Sequence, residues 1–247
     1  MLCRALLLAV SALLAVPALA AASHVWSING RAVHWASTTN PAQIELGDSL
    51  DDPVWNSLRN VPGLVWSATP KSGGGMTASP HVRLPVRPGG LASNEVEMYD
   101  GFYGQTGWIG QATLTSIDAN GHIRDAYLQL NQSYSLTQSQ KQATINHEVG
   151  HTIGLGHQTG TVMCPVLCGI QNPVQHDYDI VNFVNSHRDS YGTAAHSLQA
   201  PARAGATAKR RDGPRAVVFV TRLRDRTVRV RFRDYVSQLA TDAALAR

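Results

Sequence analysis

Apolar and polar residues alternate most regularly in two runs, Trp108–Ile117 and residues 122–130, and a period of two predicts a pair of half-buried strands. In the second run Ala126, Leu128 and Leu130 share one face, and Tyr127 and Gln129 share the other. Asp118-Ala119-Asn120-Gly121 separates the runs, and its Asn-Gly pair supplies the positive φ that a tight hairpin needs. Elsewhere the period is helical. Asp51-Asp52-Pro53 followed by Val54, Trp55, Leu58 and Val61 reads as a helix with one apolar face. Residues 135–140 are polar and can cap a helix that begins near Thr137. Residues 177–185 predict a later helix with Ile180, Phe183 and Val184 on one face and Asp177 and Asp179 capping its start. The glycines of residues 71–75 mark a surface loop.

The two ends of the chain depart from this pattern. Residues 1–20 hold Arg4, an apolar run from Ala5 to Val16 broken only by Ser11, and Ala18-Leu19-Ala20, the signature of an export signal cleaved near Ala20. An uncleaved anchor competes, because weak hydrophobicity continues to Ala22, but a spanning helix needs about 20 strongly apolar residues. The expected location is therefore secreted or periplasmic. At 43% hydrophobic and 15% charged, the chain is excluded from the disordered and collagen-like classes. Removal of the signal would leave Cys164 and Cys168 as the only thiols. In an oxidising compartment their close spacing favours a local disulfide, with thiolate metal ligation as the rival reading.

At the other end, residues 201–247 carry twelve Lys/Arg against four Asp, or +8, so the +4 of the whole chain leaves −4 on residues 1–200. Residues 201–214 read as a basic linker, and residues 215–247 as a basic extension forming a β-hairpin around Arg224-Asp225. The alternation Val228-Arg229-Val230-Arg231-Phe232-Arg233 gives its second strand one basic face. Two readings stay open for it: a hairpin packed on the main domain with solvated arginines, or contact with an anionic surface. Nucleic acid is set aside for an exported protein.

Chemistry concentrates in His147-Glu148-Val149-Gly150-His151-Thr152-Ile153-Gly154-Leu155-Gly156-His157. Histidines four apart on a helix project from one face, about a turn from each other, within reach of one Zn²⁺. Glu148 is rotated about 100° from His147, which puts it beside such an ion and not on it. A third ligand at His157 could not reach the same ion from a continuing helix. Gly154 resolves this, since a left-handed glycine ends the helix and turns the chain back. Three histidines with an open fourth position suit a hydrolytic zinc, whose bound water Glu148 would activate. In a shuffled chain of this composition the full pattern arises with a probability on the order of 10⁻⁵.

These eleven residues resemble the extended zinc motif of the metzincin metallopeptidases. That family places a methionine in a turn below the metal, and Met163 stands six residues after His157, followed by Cys164-Pro165 in a manner similar to the matrixin branch. The resemblance implies an α/β chain of the α+β type over residues 21–200. It implies a twisted mixed sheet, a zinc helix behind it, and a Met-turn and C-terminal helix below. It implies a monomeric endopeptidase with one catalytic Zn²⁺ on His147, His151 and His157, and Glu148 as base. A polypeptide substrate would bind as a strand added to the sheet edge at residues 109–115. A scaffold that holds zinc without turnover is the alternative. Pro165 stands where astacins and serralysins carry a tyrosine ligand, and Gln158 where matrixins carry serine. No cysteine-switch propeptide, calcium loop or second zinc site is evident, and His81 and His122 read as surface residues.

Overall fold

The computed structural model describes residues 24–89, 95–190, 204–211, 217–223 and 228–235. The export signal and the turn at Arg224-Asp225 fall outside these residues. Nine strands make one mixed sheet: β1 (His34–Trp35), β2 (Glu45–Ser49), β3 (Val86–Pro88), β4 (Glu95–Gly101), β5 (Trp108–Ile117), β6 (His122–Asn131), β7 (Ala204–Arg211), β8 (Val217–Leu223) and β9 (Val228–Tyr235). Across the sheet they run β7-β8-β9-β5-β6-β4-β2-β3, with β1 alongside the start of β6. Strands β6, β4, β2 and β3 are parallel neighbours, whereas β6, β5, β9, β8 and β7 alternate in direction. The chain is thus a mixed α/β structure on a multi-stranded mixed sheet.

Strands β5 and β6 form the predicted hairpin. The Asp118 carboxylate accepts the Asn120 N–H (2.8 Å) and the His122 N–H (3.0 Å), and Gly121 takes φ +91°. Ala126, Leu128 and Leu130 are buried as their alternation requires.

The described residues form four helices, α1 (Pro53–Leu58), α2 (Val61–Trp66), α3 (Gln138–Thr152) and α4 (Gln175–Val184); α3 packs on the sheet, and α1 and α2 pack on α3. Asp52 caps α1 by accepting the Val54 and Trp55 N–H groups, with Pro53 in the first turn. The apolar face predicted across Val54, Trp55, Leu58 and Val61 is not continuous. Trp55 and Leu58 are buried, but Val54 is 41% exposed and Val61 opens a second helix. Pro62 lacks the N–H that a single continuous helix would need and sits in the first turn of α2 instead. In α4 the inward face is Ile180, Val181 and Val184, while Phe183, predicted inward, points to solvent.

Thr137 caps α3 in a reciprocal box with Gln140, and every residue from Ala143 to Thr152 is buried. Ile145 and Val149 join Leu114, Leu128 and Leu130 in the core. Each such fully buried side chain contributes roughly 1.5–3 kcal/mol of transfer free energy, which sets α3 firmly against β5 and β6. Among the described residues no helix is long and apolar enough to cross a membrane.

The basic end of the chain behaves differently from its reading as linker plus hairpin. Residues 204–211, assigned to a linker, form β7 on the outer edge of β8. Main-chain pairing at a sheet edge is indifferent to the Ala- and Gly-rich composition that suggested a linker. Strands β8 and β9 pair as the alternation implied, with Val220 opposite Val230. The arginines are not simply solvated: Arg233 Nε donates to Gln111 Oε1 (2.8 Å) and Arg229 Nε to the Thr115 carbonyl (3.4 Å).

The edge assigned to substrate is not open either. Residues 109–115 lie in β5, and β9 runs antiparallel along their outer side, with Gln111 opposite Arg233, Ala112 opposite Phe232 and Thr113 opposite Arg231. The reason is the amphipathicity of β9, which buries Val228, Val230 and Phe232 and leaves its arginines on the other face.

Candidate metal centre

Helix α3 delivers His147 and His151 from adjacent turns, and its end delivers His157. Ile153 is the last capping residue, and Gly154 adopts φ +100°. The returning segment is held by the chain's beginning: the Trp26 N–H donates to the Gly154 carbonyl (3.1 Å) and the Gly156 N–H to the His24 carbonyl (2.7 Å). These bonds swing His157 beneath α3, so that the ligating atoms of His147, His151 and His157 all lie within 4.8 Å of one another. His151 Nε2 and His157 Nε2 are 3.2 Å apart. Two ligands of a tetrahedral zinc at ~2.0–2.1 Å sit roughly 3.3 Å from each other, so the observed separation fits a shared ion.

Each helical histidine is oriented by a main-chain acceptor. His147 Nδ1 lies 2.9 Å from the Val162 carbonyl, and His151 Nδ1 lies 2.8 Å from the Leu155 carbonyl. A carbonyl can only accept, so Nδ1 carries the proton on both rings and Nε2 presents its lone pair inward. Burial pushes the His147 imidazole down to about 3, helped by the neighbouring His157. Burial, then His157 and His147, hold His151 well below the usual imidazole range. Both rings are therefore neutral and able to ligate at neutral pH. His147 Nε2 is buried with no hydrogen-bond partner, an expensive arrangement that a metal ion would satisfy.

Glu148 is fully buried beside this trio, its carboxylate against the backbone of β5 at Gly110. A methyl at Gly110 would come 2.3 Å from Glu148 Oε1, so only glycine leaves the carboxylate its place. Sequence reasoning missed Gly110. A glycine inside an otherwise regular strand signals a close approach, and that signal was available.

Met163 is fully buried below the helix, and its Sδ would meet a methyl at Gly150 at 2.3 Å. Its turn is tied by the Gln158 N–H donating to the Met163 carbonyl (2.8 Å). Asp177 braces the same turn: it accepts the Val174 N–H (2.8 Å), which is the predicted helix cap, and the Val162 N–H (3.4 Å), and it faces His24 at 3.2 Å. A small pocket opens between His147 and this loop, lined by Ala143, Val162, Cys164, Leu167 and Ile170.

The expected disulfide is not formed between Cys164 and Cys168. Cys164 is buried in the turn, whereas Cys168 is exposed and its Sγ lies 3.8 Å from the Thr161 carbonyl. One side chain is turned into the core and the other to solvent, so four-residue spacing alone does not bring the sulfurs together.

The C-terminal strand adds a residue that the motif did not reveal. Phe232 of β9 stacks on the His151 ring at 4.0 Å between centroids with 11° between planes, and packs edge-on against Trp26 at 5.1 Å.

The sites assigned from sequence thus divide. Residues 147, 148, 151, 154, 157 and 163 converge, and Cys164 and Cys168 do not pair. His81 is half-buried against Asn40, at 3.1 Å, and His122 is buried, so neither is a plain surface residue. No protein-family profile matches the chain, and no curated protein matches it.

Proposed function

We propose that the protein is a zinc-dependent endopeptidase of metzincin type. The single observation that supports this best is the convergence of three imidazoles with a buried carboxylate one residue from the first of them. Zinc held by His147, His151 and His157 supplies Lewis acidity, drawing the pKa of a water toward ~7 and polarising a carbonyl.

The chain's own residues account for the rest. Glu148, against Gly110, is placed to accept the proton of the attacking water and to return it to the leaving amine nitrogen. The Val162 and Leu155 carbonyls hold both helical rings with Nε2 inward during that exchange. A peptide bound as a strand beside β5 would pass Gly110, whose sheet face carries the Glu148 carboxylate.

The test is hydrolysis of a fluorogenic peptide library by the purified protein, both intact and after limited proteolysis of its C-terminal strands. Activity that vanishes with a chelator and returns with zinc is the expected result. A folded protein that takes up zinc and cleaves nothing in either form would leave only the alternative of a zinc-binding module without turnover.

A further inference from the structure

A second group of metal-binding side chains stands apart from the first. His34 on β1, His187 after α4 and Asp189 have ligating atoms all within 4.8 Å of one another. His34 Nε2 lies 3.0 Å from His187 Nε2 and 3.7 Å from Asp189 Oδ2, and His187 Nε2 lies 3.4 Å from Asp189 Oδ1. His122, at the start of β6, brings Nε2 to 3.1 Å from Asp189 Oδ1, with its ring edge-on to His34 at 4.9 Å. The separations among His34, His187 and Asp189 are near those of ligands on one tetrahedral ion, and His122 adds an outer contact to Asp189.

The outer contacts point the same way. His34 Nδ1 faces the Ala32 carbonyl (3.1 Å) and His122 Nδ1 faces Asp118 Oδ2 (3.4 Å), so both rings turn Nε2 inward. The Ser37 N–H holds Asp189 Oδ2 at 2.9 Å, and the Asp189 N–H returns a bond to the Ser37 carbonyl (2.8 Å). We infer that His34, His187 and Asp189 form a second site for a zinc-like divalent cation, with His122 bracing the Asp189 carboxylate from outside the group. It would join two segments far apart in sequence, the N-terminal strand and the end of α4, with the β5–β6 turn held to them through His122. A set of two histidines and one carboxylate suits Zn²⁺.

Metal stoichiometry of the full chain tests this. Two equivalents of Zn²⁺ are expected, falling to one in His187→Ala, whose half-exposed side chain makes it a mild change. His151→Ala should also keep one equivalent, and the two variants should lose different bands from the Co²⁺-substituted spectrum. One equivalent that survives His187→Ala and Asp189→Ala but disappears in His151→Ala would overturn the second site. The reverse pattern would overturn the catalytic centre and leave this site standing.

A separate observation concerns regulation, and it rests on the peptidase reading only for its consequence. β9 pairs along the strand that touches Glu148, and Phe232 covers the His151 ring. The geometry points to β9 as an internal occupant of the substrate strand position, a latency segment that must leave before a polypeptide can bind. Tethering gives such a segment an effective concentration in the millimolar range, enough to exclude a weaker competitor.

A labelled peptide of residues 228–235 is the probe, used on a full chain with a specific protease site inserted within residues 191–203. This readout needs no turnover, so it stands or fails independently of hydrolysis. Binding is expected to tighten at least ~100-fold once the chain is cut and the basic fragment removed, and to tighten partially in the uncut Phe232→Ala chain. Equal affinity for uncut, cut and Phe232→Ala protein would overturn the proposal.

Discussion

Glu148→Ala is expected to lower kcat/KM for peptide hydrolysis by about 10³–10⁴-fold while leaving the zinc content unchanged. The carboxylate is fully buried against Gly110 and is not one of the grouped ligands, so its loss removes a proton acceptor and not a metal bond. Glu148→Gln keeps the shape and the packing against β5, and it should be as inactive as the alanine variant. Agreement between the two would assign the defect to lost basicity, since a packing defect would be rescued by the isosteric amide. Turnover by Glu148→Gln within tenfold of the parent would remove Glu148 from the mechanism. Steady-state kinetics on the tail-cleaved protein, with zinc measured by mass spectrometry on the same sample, make the comparison.

Gly154→Ala is expected to destabilise the fold by roughly 3–5 kcal/mol, near the top of the range for single substitutions. Two effects add. Gly154 holds φ +100°, a conformation that costs an L-residue about 1–3 kcal/mol. Its new methyl would also stand 2.1 Å from the Val33 carbonyl oxygen, a main-chain atom that cannot simply rotate away.

Gly160→Ala is the internal control. It takes φ +80° with nothing within 4 Å of the added carbon, so it carries strain without a clash. Urea unfolding should show Gly160→Ala losing about 1 kcal/mol, and Gly154→Ala clearly more. Weaker zinc retention should accompany Gly154→Ala alone, because the segment that it displaces leads directly to His157. Equal losses in the two variants would show that the close approach to Val33 carries no weight.

The hairpin, the capped helix and the metal trio were legible in the sequence because each is written in residues close together. Asn120-Gly121 sets a turn between two strands of period two, Thr137 and Gln140 cap α3 across three residues, and His147 to His157 spans eleven residues with Gly154 at the turn. Local rules of φ, periodicity and capping suffice there. The apolar face of α4 was misread by one position, since Val181 and Phe183 are both apolar and only the packing decides which turns inward.

Other features were illegible for a common reason. The carbonyls of Val162 and Leu155 that set the ring tautomers are main-chain atoms and leave no residue signature. His34, His122 and His187 are separated by more of the chain than any spacing rule covers.

Cys164 and Cys168 show the opposite case: nearness in sequence implied a bond, whereas the structure buries one side chain and exposes the other. Gly110 lies between these cases: its position in a strand was a hint, but its partner Glu148 was 38 residues away in the chain.

What this chain determined by sequence alone is therefore a chemistry: a helix bearing two histidines and a carboxylate, ended by a glycine so that a third histidine can return. Tertiary structure decided who has access to it. The pairing of β9 with β5 depends on main-chain groups that any extended segment offers, and no pattern within Val228–Tyr235 names its partner strand. Only the fold brings that strand beside Gly110 and sets Phe232 on His151, because hydrogen-bonded sheet edges choose neighbours by proximity and by the apolar face they must bury.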